Sequence, residues 1–367
     1  MNNTPSRSSL VPRLVARQNQ STQFITHLLT RRRRAVWLTG LISGLVALLL
    51  LPGLAQAAPP APFMPLSDKA EHIRQLYIIS LTIAVVLFVL VEALLIYAII
   101  RFGRRDIKFI PRQIHGNNTA EAIWTVIPAL ILVVMFFLMW NTLQAIDVPK
   151  QTAFEINVTG QQWWWSFEYP DHGGFTTGNE LHIPVGEPVK INLHAADVIH
   201  SFWVPRLSGK TDAVPGRVNE TWIQADEPGQ YHGICTELCG SQHAKMTFMV
   251  VAESRADFDA WVKNQQAPPV EPVSDLAVRG REVFMTNACT GCHTIEGTIA
   301  QGIIGPNLTH FAGRKNIAGL VDYANTPDHV REWVSDPQSI KPLNKMPNLY
   351  VPKEDIDALV EYLTSLK

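Results

Sequence analysis

Cysteine is scarce in this chain. Four occur in 367 residues, as two close pairs, Cys235 with Cys239 and Cys289 with Cys292, which excludes the scattered disulfide framework of small secreted domains. An excess of charge of either sign is missing as well. Against 31 lysines and arginines stand 32 aspartates and glutamates, a balance that argues against a nucleic-acid partner. Long apolar runs are absent after residue 145, where the chain reads as ordinary globular sequence. The 47% hydrophobic content is therefore an average over two unlike parts, a membrane part followed by folded domains.

Four arginines at 31–34 precede an apolar run from Ala35 to Leu51 and then Ala55-Gln56-Ala57. That order of charge, apolar core and small residues predicts a signal peptide over 1–57, cut near Ala57; a first transmembrane helix is the alternative. Leu76 to Ile100 and Ala122 to Leu143 are apolar stretches long enough to span hydrocarbon, the first interrupted by Glu92 and the second containing Pro128. They predict a two-helix hairpin within 58–145. The intervening Arg101–Gln113 segment carries Arg101, Arg104, Arg105, Lys108 and Arg112 against Asp106 alone, so it belongs on the cytoplasmic side. Everything after residue 145 is then outside, in an oxidising compartment. Carboxylates in or near membrane are costly unless paired, hydrated or functional. Glu92 is expected to pack against a partner subunit, and Glu121 to sit at headgroup level or to serve function. Neither helix has a polar interior, so the pair rests against a larger membrane protein.

Residues 146–264 form the next unit. From Phe154 to Glu253 short alternating segments such as Val189-Lys190-Ile191-Asn192-Leu193 are separated by Pro, Gly and Asp turn signals, the signature of an all-β sandwich. Cys235-Thr236-Glu237-Leu238-Cys239 is followed closely by His243 and Met246. Thiolate, imidazole and thioether on one loop favour copper over a hard cation or a closed zinc site. A single blue-copper site uses one cysteine, so the second suggests two coppers bridged by two thiolates. Another histidine is then required, and His172, His182, His194, His200 and His232 are all available by spacing. The competing reading is a small disulfide loop between Cys235 and Cys239.

A Pro-rich linker at 265–274 introduces a last domain, 275–367. Cys289-Thr290-Gly291-Cys292-His293 is the attachment pattern for haem c, with two thioether bonds and His293 as an axial iron ligand. Of the two methionines in this domain, Met285 lies too close to the attachment site, leaving Met346, in Lys345-Met346-Pro347, as the second axial ligand; His310 and His329 are its rivals.

At this point residues 65–253 resemble cytochrome c oxidase subunit II, on His200-Ser201-Phe202-Trp203-Val204-Pro205, on Lys210-Thr211-Asp212-Ala213-Val214-Pro215-Gly216-Arg217 and on the Cys235–Met246 loop. The C-terminal domain resembles a class I cytochrome c on Gly280, Phe284, Gly305-Pro306-Asn307-Leu308 and Tyr362. The resemblance implies a multidomain membrane protein: two transmembrane helices, an all-β cupredoxin sandwich and an all-α cytochrome c domain whose first and last helices cross. It implies a dinuclear copper centre held by His200, Cys235, Cys239, His243, Met246 and the Glu237 carbonyl, with the Glu237 side chain reaching a magnesium ion at the interface with subunit I. It assigns Trp163, within Gln162-Trp163-Trp164-Trp165, to an exposed point where electrons enter, and Glu121 to the mouth of a cytoplasmic proton pathway. The expected role is electron relay from cytochrome c or another periplasmic donor, through haem c and copper, to subunit I, with subunit III alongside, in a bacterial inner membrane. No oxygen-reducing site is expected on this chain. A stand-alone tethered carrier has no use for Glu121 or the 212–217 segment, a nitrous oxide reductase needs a histidine-rich cluster missing here, and intact copper ligands exclude a quinol oxidase.

Overall fold

The computed structural model describes residues 63–103, 113–147, 149 and 151–367. The expected signal peptide, 1–57, and most of the segment expected on the cytoplasmic side lie outside the described residues. Two described helices are long and apolar enough to cross a membrane, α1 Asp68–Phe102 and α2 Asn118–Ile146. Both run past the apolar stretches at 76–100 and 122–143, because side-chain caps set their starts: Ser67 accepts from the Ala70 N–H and Asn117 from the Ala120 N–H. Glu121 adds a reciprocal bond, its Oε1 accepting the Asn117 N–H at 3.2 Å, so this carboxylate has a local structural task in addition to any other.

The next unit is built from ten strands in two sheets. The first has the order β3-β2-β1-β5-β8, from Phe175–Gly178, Trp164–Tyr169, Glu155–Gln161, Val189–Ala195 and Asn219–Ile223. The second has the order β4-β10-β9-β6-β7, from Glu180–Pro184, Thr247–Glu253, Gly229–Cys235, His200–Trp203 and Thr211–Ala213. Alternation along β1, β2 and β10 sends Ile156, Val158, Trp165, Phe167, Tyr169, Phe248 and Val250 inward to one buried core. Phe202 and Phe248, both from the second sheet, stack within it at 4.8 Å between ring centres. Helix α3, Arg255–Gln265, closes one end through Phe258 and Val262.

This sandwich is fastened to the start of α1 and the end of α2. The Lys69 ammonium is buried, donating to Thr221 Oγ1 at 2.7 Å and to the Trp222 carbonyl at 3.0 Å. The Trp222 indole in turn donates to the Ile146 carbonyl.

The last domain is helical: α4 Asp275–Thr286, α5 Pro327–Ser335, α6 Pro337–Ile340 and α7 Lys353–Ser365. Helices α4 and α7 cross where Gly280 meets the Ala358 backbone, a side chain there having no room. Phe284 and Tyr362 meet edge-on beside that crossing, 6.1 Å between ring centres. The connector between α3 and α4 is held down by Gln266, which donates to the His172 carbonyl, and by the Ala267 carbonyl, which lies 3.1 Å from His310 Nε2.

Candidate copper and haem sites

Strand β9 ends in buried Cys235, and the loop that follows returns through Cys239, a single 3-10 turn at His243–Lys245 and Met246 before entering β10. Backbone bonds pin this loop: the Cys235 N–H donates to the Met246 carbonyl and the Thr236 N–H to the Ser201 carbonyl, both at 3.0 Å. The two sulfurs lie 3.8 Å apart as free thiols, so the disulfide alternative is not formed. His200 Nδ1 is 3.9 Å from Cys235 Sγ, and His243 Nδ1 is 3.6 Å from Cys239 Sγ. Met246 Sδ is 3.7 Å from Cys239 Sγ, and the Glu237 carbonyl is 3.4 Å from Cys235 Sγ.

Of the five candidate histidines, the structure brings His200 to the thiols. His172 packs on Phe154, His182 is held between Glu180 and Glu253, and His232 is exposed on β9. His200 opens β6 with its ring against Gly160, whose missing side chain makes the space. Its Nε2 lies 2.9 Å from Asp197 Oδ1. Burial opposes charge on this ring, but its bonds to Cys235 and Asp197 prevail and raise its pKa. The hydrogen bond from Cys239 draws the Cys235 thiol down to about 3, against burial and with help from His200. Cys239 is pushed far above the thiol range by that neighbouring thiolate and by burial. Two sulfurs sharing one proton, ringed by imidazole and thioether, fit a copper centre, since bound cations would take the proton's place.

Cys289, Cys292, His293 and Met346 line a single, largely apolar cavity of about 200 Å³, together with Phe284, Leu359 and Leu363. His293 Nδ1 lies 2.8 Å from the Pro306 carbonyl, which only accepts, so Nδ1 carries the proton and Nε2 keeps its lone pair for a metal. Burial, with Arg314 nearby, lowers the His293 pKa and keeps the ring neutral. Neither rival axial ligand lines this cavity: His310 is engaged with the Lys367 and Ala267 carbonyls, and His329 stacks on Tyr323. The donor set and the apolar walls fit haem c.

The three adjacent tryptophans divide their work. Trp165 is fully buried in the sandwich core. Trp164 donates to the Ile304 carbonyl of the last domain at 3.2 Å. Trp163 is half-buried rather than exposed as expected, packing against the sandwich core; it also lines the cavity of the last domain, and its indole donates to the Cys239 carbonyl at 3.0 Å. Sequence reasoning missed Asp197, Gln162, Lys341 and Lys345. Asp197 stands three residues before His200, which is a usable signal; the lysines carry none.

Three family profiles match this chain: the transmembrane domain of cytochrome c oxidase subunit II over 64–140, its periplasmic domain over 174–253, and cytochrome c over 277–367. Cytochrome c oxidase subunit 2 of Alkalihalophilus pseudofirmus is 41% identical over 312 residues, covering 83% of this chain and 90% of that protein. The Bacillus subtilis protein of the same description is 36% identical over 349 residues, covering 88% and 97%. The solved periplasmic domain of subunit II of cytochrome oxidase from Bradyrhizobium japonicum is 36% identical, covering 32% of this chain and 96% of that one, with a TM-score of 0.32. A membrane-anchored electron-transfer protein with a copper-binding sandwich and a cytochrome c domain is the class that fold and sites define. The chain belongs to the cytochrome c oxidase subunit II family, in the form that carries a fused cytochrome c domain, and is part of an oxidoreductase complex.

Proposed function

We propose that this subunit receives electrons from cytochrome c or another periplasmic donor and delivers them to the haem-copper catalytic subunit, where oxygen is reduced to water with proton translocation. Haem c and the copper pair, when bound, supply two one-electron carriers between donor and catalytic subunit. Cys289 and Cys292 would hold the haem covalently, with His293 and Met346 on its iron. His200, Cys235, Cys239, His243, Met246 and the Glu237 carbonyl would hold the coppers. The exposed Glu237 side chain would reach magnesium at the junction with subunit I. Glu121 would stand at the mouth of the cytoplasmic proton path, and the exposed apolar surfaces of α1 and α2 would dock subunit I, with subunit III completing the assembly. Both redox domains would face the outside of a bacterial inner membrane.

The observation that supports this reading best is the approach of His200 to the loop bearing Cys235, Cys239, His243 and Met246, whose Cys239 carbonyl accepts from Trp163, a residue that also lines the cavity of the last domain. The test is spectroscopy on the full-length chain after copper addition. A mixed-valence copper signal with seven hyperfine lines beside a c-type haem band is expected. A haem band with Cys235 and Cys239 disulfide-bonded would overturn it in favour of a tethered cytochrome.

A further inference from the structure

We infer that Lys341 and Lys345 are positioning residues for electron transfer between the two sites, latching the segment that carries Met346 onto the copper loop. This rests on the relay proposed above and adds the device that holds its two halves in register. Lys341 is 3% exposed, and its ammonium crosses from the last domain to the Trp163 carbonyl at 2.8 Å while also donating to the Ala318 carbonyl at 3.0 Å. Trp163 passes the contact on, its indole donating to the Cys239 carbonyl. Two hydrogen bonds, joined through the covalent frame of Trp163, therefore link Lys341 to a copper-loop cysteine. Lys345, adjacent to Met346, makes the second path: its ammonium lies 3.0 Å from Asp197 Oδ2, and Asp197 Oδ1 lies 2.9 Å from His200 Nε2.

Burying a lysine is costly unless it is hydrogen-bonded. Burial lowers the Lys341 pKa to about 7, and either protonation state still has enough N–H groups for both carbonyls. The same face carries Lys245, which donates to the Ile340 carbonyl at 2.7 Å, and Gln242, which donates to the Pro342 carbonyl. Close approach is built into the sandwich as well. A side chain at Gly178 would meet Pro306 Cβ at 2.5 Å, and Pro306 is the residue whose carbonyl orients His293. In the step served, one electron leaves the C-terminal site and one arrives at the copper loop, with no atom or proton transferred. Its rate depends on how closely the domains are held.

The experiment uses the full-length chain loaded with haem and copper. It compares wild type with Lys345→Gln, Lys341→Met, their double variant, Lys345→Arg and the wedge Gly178→Val. Three quantities are read: the two metal spectra, amide exchange over 161–164 and 338–346, and the rate of internal electron transfer after flash reduction of the haem. The double variant is expected to lose protection in both segments and to slow transfer about tenfold or more with both spectra intact, and the wedge to do the same with the copper spectrum intact, while Lys345→Arg stays near wild type. An unchanged rate with intact spectra in both the double variant and the wedge would overturn the inference. So would a slowed rate that always accompanies loss of the copper signal, since the lysines would then build the site rather than align it. Failure of the wild-type chain to show both spectra would defeat the relay itself, a separable result.

Discussion

The Trp163 indole N–H donates to the Cys239 carbonyl oxygen at 3.0 Å, across 76 residues of sequence. Gln162 Nε2 donates to the same oxygen at 2.7 Å. The copper loop is thus tied to the end of β1 and the residues just beyond it, at the point where the cytochrome domain packs.

Replacing Trp163 by Phe leaves Cys239 with the Gln162 bond alone. Loss of one hydrogen bond of ordinary strength costs about 1 kcal/mol, which corresponds to copper being stripped at roughly fivefold lower chelator concentration. Chelator titration followed by the copper absorption checks this.

Gly160→Ala places a methyl 3.0 Å from the His200 ring. The ring has to give way, with an overpacking cost of about 1–3 kcal/mol. The expected outcome is altered copper hyperfine splitting with the haem band unchanged, read by electron paramagnetic resonance.

Gly280→Ala drives a side chain into the Ala358 backbone at the α4–α7 crossing. Destabilisation of the cytochrome domain by about 1–3 kcal/mol is expected. Denaturant titration followed at the haem band measures it, and the copper signal should persist through the earlier transition.

His182 contributes a pH dependence. Burial opposes its charge, but Glu180 at 3.1 Å and Glu253 at 2.8 Å hold both ring nitrogens and raise its pKa above 6.5. Its stabilisation is therefore complete below the unfolded value of 6.5 and is lost as pH rises through the higher folded value. Unfolding midpoints measured from pH 5.5 to 8.5 should fall over that window relative to a His182→Gln chain, whose curve should be flatter.

Much of both sites was legible because their donors are local in sequence. Cys235, Cys239, His243 and Met246 sit on one loop, and Cys289, Cys292 and His293 in one turn, so residue type and spacing together point to copper and haem. His200 could not be chosen among five histidines by spacing; its selection is made by β6 lying beside β9, where Phe202 pairs with Cys235. The helix starts at Asp68 and Asn118 were missed because caps rather than hydropathy set them. Trp163 was expected at an open surface because the resemblance assigns it there, and its half-burial against the sandwich core and beside the cavity follows from contacts distant in sequence.

By itself, then, the order of amino acids determined the membrane hairpin and the sandwich and pointed to haem attachment and to copper, since each depends on periodicity or on residues a few positions apart. The tertiary structure alone decided the lysine latches, the burial of Trp163 and the division of labour among three tryptophans. Those depend on contacts such as Lys341 with Trp163, 178 residues apart, and such contacts exist only once two separately folded surfaces have met.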